Sequence, residues 1–310
     1  MIETIYIHHD CFLVKTPDCA ILFDFWIDPM RGGNNADPSF FSMIDISKPL
    51  FVVVSHHHKD HYTKEIFSWA DRFPRIQYII SKDTFMASRY IFSRTSTHVG
   101  PHVDPSKVWM LRPGESWPLP ADHPKPLCNS SVKASRIENL DLRINAFGST
   151  DIGNSYLIET AGIRIFHAGD LNAWIWKDES TPEEVEDAIH RFNLRLDSIH
   201  QYLIGKDTSG RETEGNRKAP VIDLAFFPVD SRIGTDYWTG ARIFLQRFDV
   251  RNFLPMHFAL GSEEEQKIRR RDAARFSLFA NPGADTTFIG PLAPYGAFIY
   301  SPRHIGGNTN

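Results

Sequence analysis

The 310-residue chain is poor in cysteine, with Cys11, Cys19 and Cys128 in all, an odd number containing no C-x-x-C pair. That pattern argues against a disulfide framework and reads as reduced thiols in a cytosolic protein. No apolar run approaches the ~18 residues that a membrane span needs. The opening segment, MIETIYIHHD, carries Glu3 and no basic flank before an apolar core, so it does not read as a signal peptide. An excess of one charge is also lacking. Against 38 Asp and Glu stand 34 Lys and Arg, a net −4 at pH 7, without the basic field of a dedicated nucleic-acid binder. The expectation is a cytoplasmic protein that acts on a small molecule, with no membrane and no nucleic-acid partner. A homo-oligomer is left open.

What is present is an ordinary globular composition, 42% hydrophobic and 23% charged. A chain of this length buries roughly 75% of its unfolded surface, enough for a large core without staples. No composition break marks a boundary, so residues 1–310 read as a single domain. Short β-branched or aromatic runs alternate with helical stretches, an α/β pattern. The run Leu50-Phe51-Val52-Val53-Val54 is continuously apolar, as a strand covered on both faces is. The clearest helix runs from Pro182 to about Leu203. Thr181 and Glu184 form a capping box, and Val185, Ile189, Phe192, Leu196, Ile199 and Leu203 recur on one face. Another helix is expected after Ser262, with Glu265 completing a second capping box, to about Ala280, and shorter ones over Thr63–Arg72, Thr84–Ser93 and Tyr237–Phe248. Gly205–Pro220 has almost no apolar residue and reads as a surface loop or lid.

Directly after the apolar run comes Ser55-His56-His57-His58-Lys59-Asp60-His61. A strand end delivers His56 and His58 to one side at i and i+2, and the following turn can bring Asp60 and His61 around as a second pair. Imidazole and carboxylate are ligands for zinc and similar first-row metals. Four such residues within six positions, in this context, point to adjacent metal ions rather than to a solvated loop.

This string resembles the H-x-H-x-D-H signature of the metallo-β-lactamase superfamily. Ile163-Arg164-Ile165-Phe166-His167-Ala168-Gly169-Asp170 resembles that superfamily's strand ending in Gly-Asp, which implies Asp170 as a carboxylate between two metals. Phe253-Leu254-Pro255-Met256-His257 resembles its late strand ending in a metal-binding His, which implies His257. The chain looks most like the group containing L-ascorbate-6-phosphate lactonase-like hydrolases. In that group an early His before an apolar strand, here His9, and an Asp after the next strand, here Asp24 or Asp28, lie near the site. The resemblance implies a four-layer αβ/βα sandwich. It also implies two divalent ions, zinc first with manganese or iron as alternatives. Metal one would take His56 and His58, and metal two Asp60, His61 and His257, with Asp170 between them.

One position departs from the pattern. Where the family usually supplies a further His, the segment Phe147-Gly148-Ser149-Thr150-Asp151-Ile152-Gly153 has none, and Asp151 is the only strong ligand nearby. Asp151 is either a ligand of the first metal or a turn residue bonded to its own backbone. With Asp60, Asp170 and Asp151 as ligands, two divalent ions would keep a net charge of about +1, and such an oxygen-rich site tolerates manganese or iron as well as zinc.

Other candidates surround this set. His167, three residues before Asp170, is either a support for the site or a strand residue facing a neighbouring helix. Trp174 and Trp176 follow the metal strand and wall a pocket or pack in the core. Arg232 follows an apolar strand end and is a candidate to hold a carboxylate or phosphate, against a salt bridge within its own loop. The function expected is a metal-dependent hydrolase, in which a hydroxide held between the ions cleaves an ester, lactone or phosphoester and Asp60 orients the nucleophile and passes the proton. A phosphodiesterase or nuclease on the same fold, and a non-catalytic metal-binding protein lacking the third histidine, are the alternatives.

Overall fold

A computed structural model describes residues 1–30, 36–92, 103–118, 137, 140–176, 178–207, 220–278, 280 and 286–301. Among the described residues, fourteen strands pair into two sheets of seven. The first contains β1 (Ile2–His8), β2 (Cys11–Lys15), β3 (Ala20–Phe23), β4 (Leu50–Val54), β5 (Ile76–Ser81) and β6 (Val108–Leu111). The second contains β7 (Ser116–Trp117), β8 (Leu142–Gly148), β9 (Asn154–Thr160), β10 (Ile163–His167), β11 (Val221–Pro228), β12 (Asp249–Met256) and β13 (Thr287–Phe288). The last strand, β14 (Ala297–Tyr300), returns to the first sheet beside β1. The helices are α1 (Pro38–Ser42), α2 (Lys82–Ser88), α3 (Pro182–Asp207), α4 (Thr239–Arg247) and α5 (Glu263–Arg275).

The two sheets repeat one plan. Their orders are β14-β1-β2-β3-β4-β5-β6 and β7-β8-β9-β10-β11-β12-β13. In each, the first three pairings are antiparallel and the last three parallel. Parallel strands need crossovers that cover the sheet faces, and β4 shows the result. Phe51 and Val53 face the core between the sheets. Leu50, Val52 and Val54 face a second core with Phe40, Ile66, Phe67 and Trp69. On the far side α3 lays Phe192, Leu196, Ile199 and Leu203 against the second sheet, and Phe244 of α4 stacks on Phe227. The layers are helix, sheet, sheet, helix, as the resemblance implied. Phe12 stacks on Phe226 between the sheets at 4.3 Å, and the Tyr156 hydroxyl donates to the Val54 carbonyl.

Both capping boxes form: Glu184 and Glu265 each receive the backbone N–H of Thr181 or Ser262 and donate their own N–H to that residue's hydroxyl. The α-helix expected over Thr63–Arg72 is a 3-10 helix over Lys64–Asp71. The three-residue period eclipses Ile66 and Trp69 on the buried side, which a 3.6-residue turn would splay apart. The helix expected to reach Ala280 ends at Arg275, followed by a short turn over Phe276–Leu278. α1, β7 and β14 were not foreseen, being too short for periodicity to register. Of the expected loop Gly205–Pro220, the first three residues extend α3, while 208–219 lie outside the described residues. Cys128 also lies outside them. Among the described residues no helix is long and apolar enough to cross a membrane.

Phe192 is fully buried between α3 and the second sheet. Phe192→Ala is expected to cost about 3–5 kcal/mol in urea denaturation, and Thr181→Ala, which removes half of one capping box, about 1 kcal/mol. A cost under 1 kcal/mol for Phe192→Ala would contradict this packing.

Candidate metal centre

The residues of the site stand at strand ends and adjoining turns. His56 to His61 leave β4, Asp24 follows β3, Asp170 follows β10, Asp230 follows β11 and His257 follows β12. The β1–β2 turn adds His9 and Asp10, and the β8–β9 turn adds Asp151. His9, Asp24, Trp174 and His257 all hold positive φ, 55°, 44°, 44° and 68°. Left-handed backbone at non-glycine residues costs energy and gathers at functional sites. Two glycines let the turns close over the loop. A Cβ on Gly153, at φ 76°, would lie 2.2 Å from the Ser55 carbonyl oxygen, and one on Gly169 would lie 2.7 Å from the Ser55 Cβ.

Outer hydrogen bonds sort the imidazoles. His61 Nδ1 lies 3.0 Å from Asp24 Oδ2, and Asp24 is itself held by the N–H and hydroxyl of Ser55 at 2.7 and 2.6 Å. His257 Nδ1 lies 2.9 Å from Asp230 Oδ2. His56 Nδ1 lies 2.9 Å from the Ser55 hydroxyl, whose proton already goes to Asp24. In the neutral rings each Nδ1 therefore carries the proton and each Nε2 the lone pair, the arrangement that hydrogen-bond partners behind the ring impose on metal-binding histidines. The three Nε2 atoms converge on Asp170: His61 at 3.0 Å and His257 at 3.1 Å from Oδ1, His56 at 3.3 Å from Oδ2. His58 Nδ1 lies 3.0 Å from His56 Nε2 and 3.5 Å from Asp151 Oδ2.

His9 is the opposite tautomer. Its Nδ1 accepts the Ala259 N–H at 3.2 Å, so in the neutral ring the proton is on Nε2, which faces Asp60 Oδ2 at 3.6 Å. Burial first, then the neighbouring His257, holds its pKa down at about 3, so the ring is neutral. It is a donor toward Asp60.

The donor set fits divalent cations. Among the described residues, Asp170 Oδ1, both oxygens of Asp10, and the Nε2 atoms of His9, His61 and His257 are buried without a hydrogen-bond partner. Uncompensated buried charge costs several kcal/mol per ion, yet Asp10, Asp24, Asp170 and Asp230 are all buried here. Burial pushes the Asp10 carboxyl up to about 7. For Asp170 burial acts in the same sense, but His61 and His257 overcome it and hold that carboxyl well below the usual range. Burial would lower His257, and Asp10 and Asp170 override it and raise it to about 10, so a cation bound at Nε2 displaces a proton there. Three groups of ligand atoms lie mutually within 4.8 Å: His56, His58, Asp151 and Asp170; His9, Asp60, His61 and His257; and Asp10, His61, Asp170 and His257.

The seven metal candidates named from sequence are thus brought together, Asp151 included. The surrounding candidates divide. His167 does not face a helix: it lies between the sheets, stacked on Phe23 at 4.6 Å, with Nε2 donating to the Asp10 carbonyl at 2.8 Å. Trp174 donates to the Asp170 carbonyl at 2.7 Å and sets its ring edge against His257, whereas Trp176 is 44% exposed. Arg232 is bound to Asp230 within its loop, at 2.5 and 2.7 Å, so it braces the partner of His257 instead of presenting a free guanidinium. Asp28 accepts from Asp37 and Tyr295 and anchors a neighbouring loop; Asp24 is the acid at the site. His57 points away, to Asp83. Sequence reasoning missed Asp10 and Asp230. Asp230 had a signal, its place after the apolar end of β11, while Asp10 had only its adjacency to His9.

Gly153 and Gly162 separate the demands of conformation and space. Both have positive φ, but a Cβ on Gly162 meets nothing within 4 Å. Gly162→Ala is expected to cost only the backbone strain, roughly 1–2 kcal/mol. Gly153→Ala must also displace Ser55 and His56, so it is expected to cost more and to weaken divalent-metal binding. Urea denaturation with a Zn²⁺ titration checks both, and equal effects of the two changes would refute the close approach.

A family model for the β-lactamase superfamily domain matches residues 3–187. None of the curated proteins matches the chain. Among solved structures, Igni18, described as a novel metallo hydrolase from Ignicoccus hospitalis, superposes with TM-score 0.52 at 15% identity, over 97% of this chain and 99% of that one. A variant of the CmlA β-hydroxylase superposes with TM-score 0.51 at 12% identity, over 96% of this chain and 53% of that one. A second CmlA structure, described as a diiron β-hydroxylase from Streptomyces venezuelae, gives 0.47 at 13% identity, over 93% and 53%. The first two likenesses establish the fold, and the family model spans more than half of the sequence. The chain belongs to the β-lactamase superfamily and has the metallo-β-lactamase sandwich fold.

Proposed function

We propose that the protein is a metal-dependent hydrolase that opens an ester, lactone or phosphoester bond in a small substrate. The observation that carries this reading is the convergence of three Nε2 atoms, each ring oriented by an outer hydrogen bond, on the single carboxylate of Asp170. His56, His58 and Asp151 would hold one cation and His61 and His257 the other, with Asp170 between. Zinc suits the imidazoles, and the carboxylates also suit manganese or iron. Two such cations supply a polarised substrate oxygen and a lowered pKa for water.

The chain's own groups do the rest. His56 and His61 are fully buried, while the side chains of His58 and Asp151 are 45% and 37% exposed. The substrate therefore approaches from the His58 side. Asp60, 26% exposed, borders this opening. Although burial opposes it, the neighbouring His9 and His61 hold Asp60 below the usual carboxylate range. An ionised Asp60 accepts the proton of the attacking water and returns it to the leaving group. Trp174 sets an indole ring beside His257.

Elemental analysis of the metal-replete protein is expected to find close to two divalent ions per chain. His56→Ala with His58→Ala should remove about one of them and most hydrolysis of an ester, lactone and phosphoester panel. Unchanged stoichiometry would sink the assignment. Asp60→Asn should lower kcat by roughly 10²–10⁴-fold, the range of general acid–base catalysis.

Asp151 is tested separately. Asp151→Ala should weaken the first cation selectively, and Asp151→His should restore binding. Both metals and normal rates in Asp151→Asn would make it a turn residue only.

A further inference from the structure

We propose that Asp10 is a metal ligand, closing the second site with His61, His257 and Asp170 and leaving Asp60 free to face His9 and the substrate. This rests on the two-cation reading above and changes the composition of one site within it.

Two overlapping groups compete for the cation beside His61 and His257: one adds His9 and Asp60, the other Asp10 and Asp170. The first lacks Asp170, and the tautomer of His9 weighs against it. With its Nδ1 lone pair engaged by the Ala259 N–H, His9 has no second lone pair to offer unless it becomes an imidazolate. Asp10 carries no such restriction. It is fully buried, and neither of its oxygens has a hydrogen-bond partner among the described residues. Oδ2 lies 3.2 Å from His61 Nε2 and 3.8 Å from His257 Nε2. Those two nitrogens lie 3.0 and 3.1 Å from Asp170 Oδ1. Ligand atoms ~2.0–2.1 Å from a tetrahedral zinc stand about 3.3 Å apart, so these four are spaced as such a ligand set. All four are buried without a hydrogen-bond partner, whereas no Asp60 oxygen is in that condition.

The position of Asp10 is built, not incidental. His9, with φ 55°, turns the chain at the end of β1. The His9 N–H donates to the Tyr6 hydroxyl at 2.8 Å, and His167, stacked on Phe23, holds the Asp10 carbonyl. The backbone on both sides of the carboxylate is thereby tied down. Ordering a ligand in this way lowers the cost of closing a metal site.

The test is Zn²⁺ and Co²⁺ titration of the metal-free full chain and of Asp10→Asn, Asp10→Ala and Asp60→Asn, with the visible spectrum of the Co²⁺ forms as a readout independent of activity. Circular dichroism of each metal-free variant checks folding, and the near-isosteric Asp10→Asn serves if Asp10→Ala does not fold. The expected result is that both Asp10 variants lose more than 100-fold in affinity at one of two sites and change its Co²⁺ spectrum. Asp60→Asn should keep both sites within tenfold of the unmodified chain. Asp10 variants that bind two ions with unchanged affinity and spectrum would overturn the proposal alone. Loss of a site in Asp60→Asn with retention in Asp10→Asn would assign that ligand to Asp60. An unmodified chain that takes up neither ion would overturn the two-cation reading as well.

Discussion

Asp170 sits within 3.3 Å of three imidazole nitrogens at the junction of the two sheets, and much of the local architecture serves to keep those charges and dipoles where they are. Buried carboxylates repel one another and lose their hydration, a cost that positive charge at the centre offsets. The protein surrounds them with a second ring of fixed groups. Asp24 holds His61, Asp230 holds His257, and Ser55 holds His56. Arg232 then holds Asp230, and Ser55 holds Asp24. Each imidazole thus has its orientation set before any cation arrives, which is how outer partners tune metal affinity.

That ring spans both sheets. Asp24 and His61 belong to the first, Asp170, Asp230 and His257 to the second. Because the sheets follow the same strand plan, corresponding loops meet at one edge: the ends of β3 and β4 supply Asp24 and the histidine loop, and the ends of β10 and β11 supply Asp170 and Asp230. The inter-sheet aromatics, Phe12 on Phe226 and Phe23 on His167, set the separation across which these loops face each other. Strain at His9, Asp24, Trp174 and His257 is sustained because this packing over-determines the surrounding backbone.

The second sphere also explains why the site is asymmetric. Toward the first sheet's interior it is sealed, with His56, His61 and Asp10 without exposure. Toward His58, Asp151 and Asp60 it is open. A hydrolase needs both conditions, since a dry wall strengthens electrostatic interactions while an accessible face admits substrate.

The sequence by itself determined the parts whose information is local. Alternation and apolar runs located most strands, capping boxes at Thr181 and Ser262 located the starts of two helices, and His56 to His61 announced its chemistry because four ligating residues stand within one turn of chain. Asp170 and His257 were reached only through resemblance to a family, since a lone acid or imidazole at a strand end carries no local signature. Tertiary structure alone decided the rest. Asp230 matters because β11 ends beside β12, and His167 supports Asp10 because the two sheets pack face to face. Likewise, His9 and His61 differ only in what lies behind the ring: a backbone N–H in one case, a carboxylate in the other. A side chain's partner in space selects which nitrogen keeps its lone pair, and that partner is distant in sequence, 250 residues for His9 and 37 for His61.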